Sequence, residues 1–300
     1  MTEPDVSSSP GGTGRLAGRT VARIGFGAMQ LGLQNMGSRR LGRDAALAIL
    51  RQAVEAGVNH IDTAHFYGPA NDFIRDALAP YPDELVLVSK VGAVRDPAGP
   101  IVPAQRPEQL RDQVEDNLAT LGVGQLGVVN MRRLDAAPGL IAEGDQKVDI
   151  DDQLAELSAL RDAGKIGGIG LSGVSAAQLS HALPAGIACV QNSYSVLDRT
   201  EEPVLALCRE HGIAWVPFFP LGSASASRSQ VTAHPAVTAI AASLGATPAQ
   251  VGLAWLLTHD DGTLLIAGTA NPVHLAQNIA AGSLRLPAAI MTTLDSLAAP

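Results

Sequence analysis

Short apolar runs alternate with helix-patterned segments along almost the whole chain, and no other feature narrows the fold as much. The runs are IGFGAM (24–29), VNHIDT (58–63), LVLVSK (85–90), LGVVNMR (126–132), IGGIGLS (166–172), CVQNSY (189–194), AWVPFF (214–219) and LLIAGT (264–269). The segments between them carry helix signals. DAALAILRQAVEAG is expected to start at a capping Asp44 and stop at Gly57. RPEQLRDQVEDNLATLG has Pro107 in its first turn and Gly122 at its end, and DDQLAELSALRDAG repeats leucine at 154, 157 and 160. TEEPVLALCREHG is expected to be capped by Thr200 and stopped by Gly212, and TPAQVGLAWLL opens on a Thr cap followed by Pro. Strands joined through helices must run parallel, because only a crossover returns the chain to the same end of the sheet. Eight such units in 300 residues predict an α/β protein of the (β/α)8 TIM-barrel class, typically about 250 residues. Residues 1–14 are expected to be a flexible tail and 15–300 one barrel domain.

A doubly wound sheet is the rival architecture. It would need a glycine fingerprint after the first strand, and Gly25-Phe26-Gly27 does not continue as one. GIGLSG (168–173) fits G-x-G-x-x-G, but its glycines lie inside an apolar run and no acid stands about 20 residues on. The match is therefore set aside.

Composition excludes some functions. A net charge of −8 argues against a nucleic-acid surface, which needs a basic patch. Cys189 and Cys208 have no metal-like spacing and read as reduced, buried thiols. The opening MTEPDVSSSPGGTG has neither the positive start nor the apolar core of a signal peptide. No uncharged apolar run reaches the roughly 18–20 residues of a membrane span. The cytoplasm is the expected location, with no membrane or nucleic-acid partner, as a monomer or homo-oligomer.

In a barrel of this class the chemistry sits at the C-terminal ends of the strands. Three neighbouring runs end in HIDTAHFYG, VSKVG and NMRRLD, which brings Asp62, Tyr67, Lys90 and Arg132 to one rim. Singly, each has an ordinary explanation: a helix cap, a loop aromatic, a surface cation. Together they suit proton transfer to a carbonyl. A free phenol, with a pKa of about 10, is a weak acid near neutrality. A neighbouring lysine ammonium favours the phenolate, and a carboxylate keeps that lysine charged. The stretch VVNMRRLD poses its own question, since a buried strand should not finish in two guanidinium groups. It can do so where its end opens on a polar site: Arg132 would face the substrate, with pairing to an acid as the ordinary alternative, and Arg133, of opposite parity, would face away to an acidic partner.

HIDTAHFYG, LVLVSK, RPEQLRDQVEDNLATLG, GKIGGIGLS, VQNSYS, VPFFPLG and LLIAGTANPVHLAQN resemble the aldo-keto reductases in order and spacing, from about residue 15 to residue 298. Within that family, YPDELVLVSKVGA and VVNMRRLD look most like the bacterial pyridoxal-reductase branch. The resemblance implies a nicotinamide cofactor, usually NADP(H), with NAD(H) use left open, and a small-molecule carbonyl substrate. It implies Tyr67 as proton donor with Asp62 and Lys90 as partners. It implies Ser172 and Gln191 at the carboxamide, Phe218 against the nicotinamide ring, and Leu221 and Gly222 near the pyrophosphate. Met29 matches a contact from the first strand. Thr269 to Asn278, including His274 and Gln277, would hold the adenosine end.

Three departures from the family pattern, at four positions, bear on function. Gly173 replaces an asparagine after the fifth strand. Gly268 and His274 stand where a lysine and an arginine often meet the 2′-phosphate, which weakens the implied NADPH preference. Arg132 stands where the family usually has a histidine. His60 is expected to be a hydrogen-bonded core residue and His65 to line the substrate mouth; no third ligand accompanies them at metal-site spacing. Two rival functions stay open: a cofactor-binding regulator of the same fold with little turnover, and a barrel isomerase or lyase without nicotinamide. Substrate selectivity is assigned to loops 30–44, 94–106, 136–149 and 222–234.

Overall fold

The computed structural model describes residues 9–32, 41–135, 139–222 and 230–298. Loops 30–44, 136–149 and 222–234 therefore lie partly outside the described residues, as does most of the expected tail.

Among the described residues, eleven strands form three sheets. Strands β1 (Thr13–Leu16) and β2 (Arg19–Ala22) make an antiparallel hairpin. The main sheet is built from β3 (Phe26–Gly27), β4 (His60–Asp62), β5 (Val86–Val91), β8 (Val128–Arg132), β9 (Ile169–Ser172), β10 (Ile187–Gln191) and β11 (Ala214–Trp215). A second hairpin, β6 (Ala93–Arg95) with β7 (Ile101–Pro103), rises from the end of β5. The order β11-β10-β9-β8-β5-β4-β3, with every pair parallel, is that of successive crossovers each adding the next strand beside the last. Helices such as Arg43–Glu55, Pro107–Leu121 and Glu202–His211 supply the crossovers.

Seven of the eight expected runs contribute a strand to this sheet. The eighth, 264–269, does not form one. Its neighbourhood makes single parallel bridges instead, Trp215 with Thr263 on one side and Ile24 with Leu265 on the other. The Leu264 amide donates to the Trp215 carbonyl at 2.8 Å and the Leu265 amide to the Arg23 carbonyl at 2.7 Å. Beyond Leu265 the two backbones stay closely packed: a Cβ built on Gly268 would lie 2.0 Å from the Gly27 carbonyl oxygen.

The alternation of side chains along a strand sorts the sheet into two faces. Val86 and Val88 of β5, Val128 of β8, Cys189 of β10 and Ala214 of β11 share one small cluster with Leu16, Val21 and Leu264. Leu87, Val91, Val129, Met131, Ile169, Leu171 and Val190 point the other way, into the large cluster made with the helices. Leu16 and Val21 bring the β1–β2 hairpin into the small cluster, beside Val86 and Val128 at the starting ends of their strands. The hairpin thus covers the end of the sheet opposite the strand C-termini. Nothing in the sequence reading anticipated it, and the expected tail overlaps it, since Thr13 and Gly14 already pair with Ala22 and Val21.

Helix boundaries correct two expectations. Arg43–Glu55 is preceded by Gly42, and Asp44 lies in its first turn without capping it. Glu202–His211 is preceded by Glu201, while Thr200 hydrogen-bonds Asp198 in the turn before. The glycine stops at 122 and 212 are left-handed, and Thr247 caps its helix by accepting from the Gln250 amide.

Candidate active site

The same parity that builds the small cluster also builds the site. Continuing each strand by twos toward its C-terminus leads from Val88 to Lys90, from Val128 to Asn130 and Arg132, from Cys189 to Gln191, and from Gly170 to Ser172. Asp62 ends β4 in register with Val88, and Ser172 ends β9 in register with both Arg132 and Gln191. Five polar side chains are thus the last inward positions of five neighbouring strands. Tyr67 joins them from the loop after β4.

These residues surround one cavity of about 610 Å³. Asp62, Tyr67, Lys90, Arg132 and Ser172 line one part of it, with Met29, Phe218, Leu221 and Gly222. Thr269, His274, Gln277 and Asn278 line another. The cavity therefore draws together every sequence-predicted site residue except Gln191, which is buried beneath it. Gln191 donates through Nε2 to Asp62 Oδ2 at 2.7 Å, and its own Oε1 is buried without a partner. Support of Asp62 by Gln191 had no signal in the sequence. Phe66 and Phe219 also line the cavity and were likewise missed, whereas Ile101 and Thr232 come from two of the loops expected to set selectivity, 94–106 and 222–234.

Asp62 and Lys90 form a buried ion pair, and the Lys90 ammonium also lies 3.3 Å from the Thr63 carbonyl oxygen. It sits 5.3 Å from the centre of the Tyr67 ring. Burial works against the ammonium, but Asp62 and Tyr67 outweigh it and hold Lys90 above its ordinary pKa. For Tyr67 burial is again the largest influence and pushes the phenol up; Lys90 pulls it down, Asp62 pushes it up, and Arg132 pulls it down more weakly. The expected net depression is therefore reversed. Desolvating a phenolate costs more than the nearby cations return, one of them being already neutralised by Asp62.

The two arginines at the end of β8 part as strand parity requires. Arg133 forms a two-pronged pair with Asp135, at 2.8 Å for each hydrogen bond, and donates to the Val148 carbonyl at 3.0 Å and to Gln153. Arg132 lines the cavity and has neither a carboxylate nor a hydrogen-bond acceptor for its guanidinium among the described residues.

A chain of buried amides holds these strand ends from behind. Thr63 donates to Asn71 at 2.8 Å, Asn71 and Ser89 both donate to Asn117, and the Gly92 amide donates to Gln113 at 2.8 Å. Gln105 then donates to the Gly92 carbonyl at 2.5 Å and to the Arg132 carbonyl at 2.8 Å, tying the end of β5 to the end of β8. Gln153 donates in turn to the Gln105 carbonyl at 2.6 Å.

The histidines depart in part from expectation. His60 is buried as expected, though its ring nitrogens make no hydrogen bond of full geometry; burial pushes its pKa down to about 4, and a weak interaction with the Leu265 backbone only partly offsets this. His65 packs edge-on against Phe66 and is not among the cavity-lining residues. Cys189 and Cys208 are free and buried, and burial raises both thiols, Cys208 to about 12. No single helix among the described residues is long and apolar enough to cross a membrane.

An Asp–Lys–Tyr cluster at the strand C-termini of a parallel α/β sheet places this site within a defined class. The model of the aldo/keto reductase family matches residues 23–299, and the chain belongs to that family. Pyridoxine 4-dehydrogenase of Escherichia coli K12 is 41% identical over 285 residues, covering 94% of this chain and 96% of that protein. An uncharacterized oxidoreductase of Schizosaccharomyces pombe is 30% identical, covering 97% and 91%. Among solved structures, an aldo/keto reductase from Klebsiella pneumoniae in complex with NADP and acetate superposes with a TM-score of 0.78 at 25% identity, covering 95% of this chain and 94% of that one. The chain is an oxidoreductase of the carbonyl–alcohol kind.

Proposed function

We propose that this protein is a single (β/α)8 barrel that uses NADPH to reduce an aldehyde to an alcohol, with Tyr67 as proton donor and pyridoxal as a substrate. The observation that carries this reading is the Asp62–Lys90–Tyr67 cluster lining the same cavity as Ser172, Phe218, Leu221, Thr269 and Asn278. The single bridges of residues 263 and 265 to both edges of the sheet support closure of the barrel. The E. coli relative, named for pyridoxine oxidation, supports the substrate, and the NADP complex of the K. pneumoniae structure supports the cofactor.

The residues present fit a nicotinamide cofactor. Gln191 Oε1 is a buried acceptor lacking a donor, next in register to Ser172, and a carboxamide would satisfy it. Phe218 would offer a ring to the nicotinamide, Leu221 and Gly222 would lie near the pyrophosphate, and Thr269, His274, Gln277 and Asn278 would receive the adenosine end. When bound, the cofactor supplies the hydride.

The chain's own residues supply the proton and its control. Tyr67 gives its phenolic proton to the carbonyl oxygen as negative charge gathers there. Lys90 stabilises the phenolate left behind, Asp62 holds Lys90 charged and in place, and Gln191 fixes the second oxygen of Asp62. Arg132 adds a permanent positive charge on the same side. Buried free thiols are compatible with a reducing cytoplasm, and the protein acts there as a monomer or homo-oligomer. Loss of NADPH absorbance with pyridoxal, other aromatic aldehydes and ketones, each repeated with NADH, tests the reading. Binding of NADPH with turnover of none of them would point instead to a cofactor-sensing regulator.

A further inference from the structure

Arg132 is unusual among the interior cations of this protein. Lys90 is neutralised by Asp62, and Arg133 by Asp135. Arg132 is half-buried beside them and meets no acid. The only acidic side chains outside the described residues are Glu3 and Asp5. Removing a guanidinium from water without a partner is unfavourable, so the position is costly unless something in the cavity compensates for it. Tyr67 does so only when it ionises, and burial opposes that.

The surroundings show what would fit. A guanidinium is a planar fork with parallel N–H groups, suited to two oxygens side by side. Its backbone is held by Gln105 from behind, so the strand end that carries it is fixed. Three of the chain's five phenylalanines, Phe66, Phe218 and Phe219, line the same cavity, together with Tyr67 and Ile101. The cavity therefore joins flat apolar walls to one unpaired fork. A flat ring bearing two adjacent oxygens, one of them charged, satisfies both.

We propose that Arg132 determines substrate specificity by binding an ionised hydroxyl next to the carbonyl, so that the preferred substrates are aromatic aldehydes with an ortho hydroxyl. This rests on the carbonyl-reducing function above and adds the feature by which the site chooses among aldehydes. The fork spans the carbonyl oxygen and the neighbouring oxygen. It thereby orients the aldehyde toward Tyr67, and the substrate supplies the missing counter-charge.

Two aldehydes that differ by the one group provide the test: 3-hydroxypyridine-4-carbaldehyde and pyridine-4-carbaldehyde. Their kcat/KM values are compared at one pH above the ionisation of the hydroxyl. Wild-type protein is expected to favour the hydroxylated aldehyde. Arg132→Met is expected to lose about 10- to 100-fold more kcat/KM on the hydroxylated aldehyde than on the other, the scale of a lost charge-assisted contact. Arg132→Gln, a polar and neutral replacement, is expected to do the same and serves if Arg132→Met does not fold. Retained quenching of tryptophan fluorescence by NADPH checks that each variant keeps its cofactor site. Equal losses on both aldehydes, or a wild type indifferent to the hydroxyl, overturns the proposal while leaving carbonyl reduction standing. A wild type that reduces neither overturns the reductase function and this inference with it.

Discussion

A Cβ built on Gly32 would stand 1.5 Å from the carbonyl oxygen of Tyr67. Only a glycine allows the short helix Met29–Gly32 to end against the loop that carries the phenol. Gly32→Ala is therefore expected to displace Tyr67 and lower reductase turnover about 100-fold, as for an ångström-scale misplacement of a reacting group. NADPH binding should change much less. Steady-state kinetics and fluorescence titration on the same variant check this; unaltered turnover would remove Gly32 from the positioning of Tyr67.

Tyr67→Phe keeps the buried ring and removes the acid. Reduction is expected to fall roughly 10²–10⁴-fold, the usual contribution of a general acid, with cofactor affinity near wild type. Because burial raises the Tyr67 pKa, the phenol stays protonated through the neutral range. Aldehyde reduction should hold its rate up to the ordinary phenol region near pH 10 and fall only above it. Alcohol oxidation, which needs the phenolate, should rise with pH over the same span. A reduction rate that breaks near pH 7 would show that the depressing charges win after all.

His60 links stability to acid. Its folded pKa of about 4 lies below the ordinary 6.5. The unfolded chain therefore takes up a proton first as pH falls below about 6.5, and stability declines from there down to about 4. The full loss is on the order of 3 kcal/mol, and none arises above neutrality, where both states are uncharged. Urea midpoints between pH 7 and pH 4 measure it. His60→Gln should flatten the acid limb of the curve, even if the variant starts from lower stability at pH 7.

Cofactor choice is expected to be modest. Gly268 cannot carry a longer side chain, because its Cβ would meet the Gly27 carbonyl oxygen at 2.0 Å. His274 is left as the described cavity-lining group nearest in kind to a phosphate ligand. His274→Ala is expected to weaken NADPH binding up to about tenfold while NADH binding barely changes, about the worth of one charge-assisted hydrogen bond. Fluorescence titration with both nucleotides decides it, and equal losses would assign the phosphate to other residues.

Gln105 holds two strand ends with one amide. Gln105→Ala would take the side-chain donor from the buried Arg132 carbonyl, at about 1–3 kcal/mol for an unpaired buried group, while the Gly92 carbonyl would keep the Ala104 amide at 3.1 Å. A drop in melting temperature of several degrees is expected. A melting temperature equal to wild type would show that the amide chain behind the site is not structural.

Much of the site was legible in the sequence, because strand parity is local. Lys90, Arg132, Ser172 and Gln191 sit at the ends of runs whose inward positions can be counted by twos. The divergence of Arg132 from Arg133 follows from the same count. The fold class was legible because repeated strand–helix units admit few topologies. What the sequence hid was the β1–β2 hairpin, the missing eighth strand, the corrected caps at Asp44 and Thr200, and the balance of charges on Tyr67.

The sequence by itself determined the parallel order of strands and the set of side chains facing one mouth, since both depend on periodicity and chain connectivity. The tertiary structure decided how those side chains interact. Gln191 meets Asp62 because two strands with three others between them in the sheet curve toward each other. The Tyr67 pKa rises because surrounding segments exclude water, a cost that no local pattern records. Arg132 is left without a carboxylate among the described residues while Asp62 pairs with Lys90 and Asp135 with Arg133, an allocation that only the arrangement of the whole chain could settle.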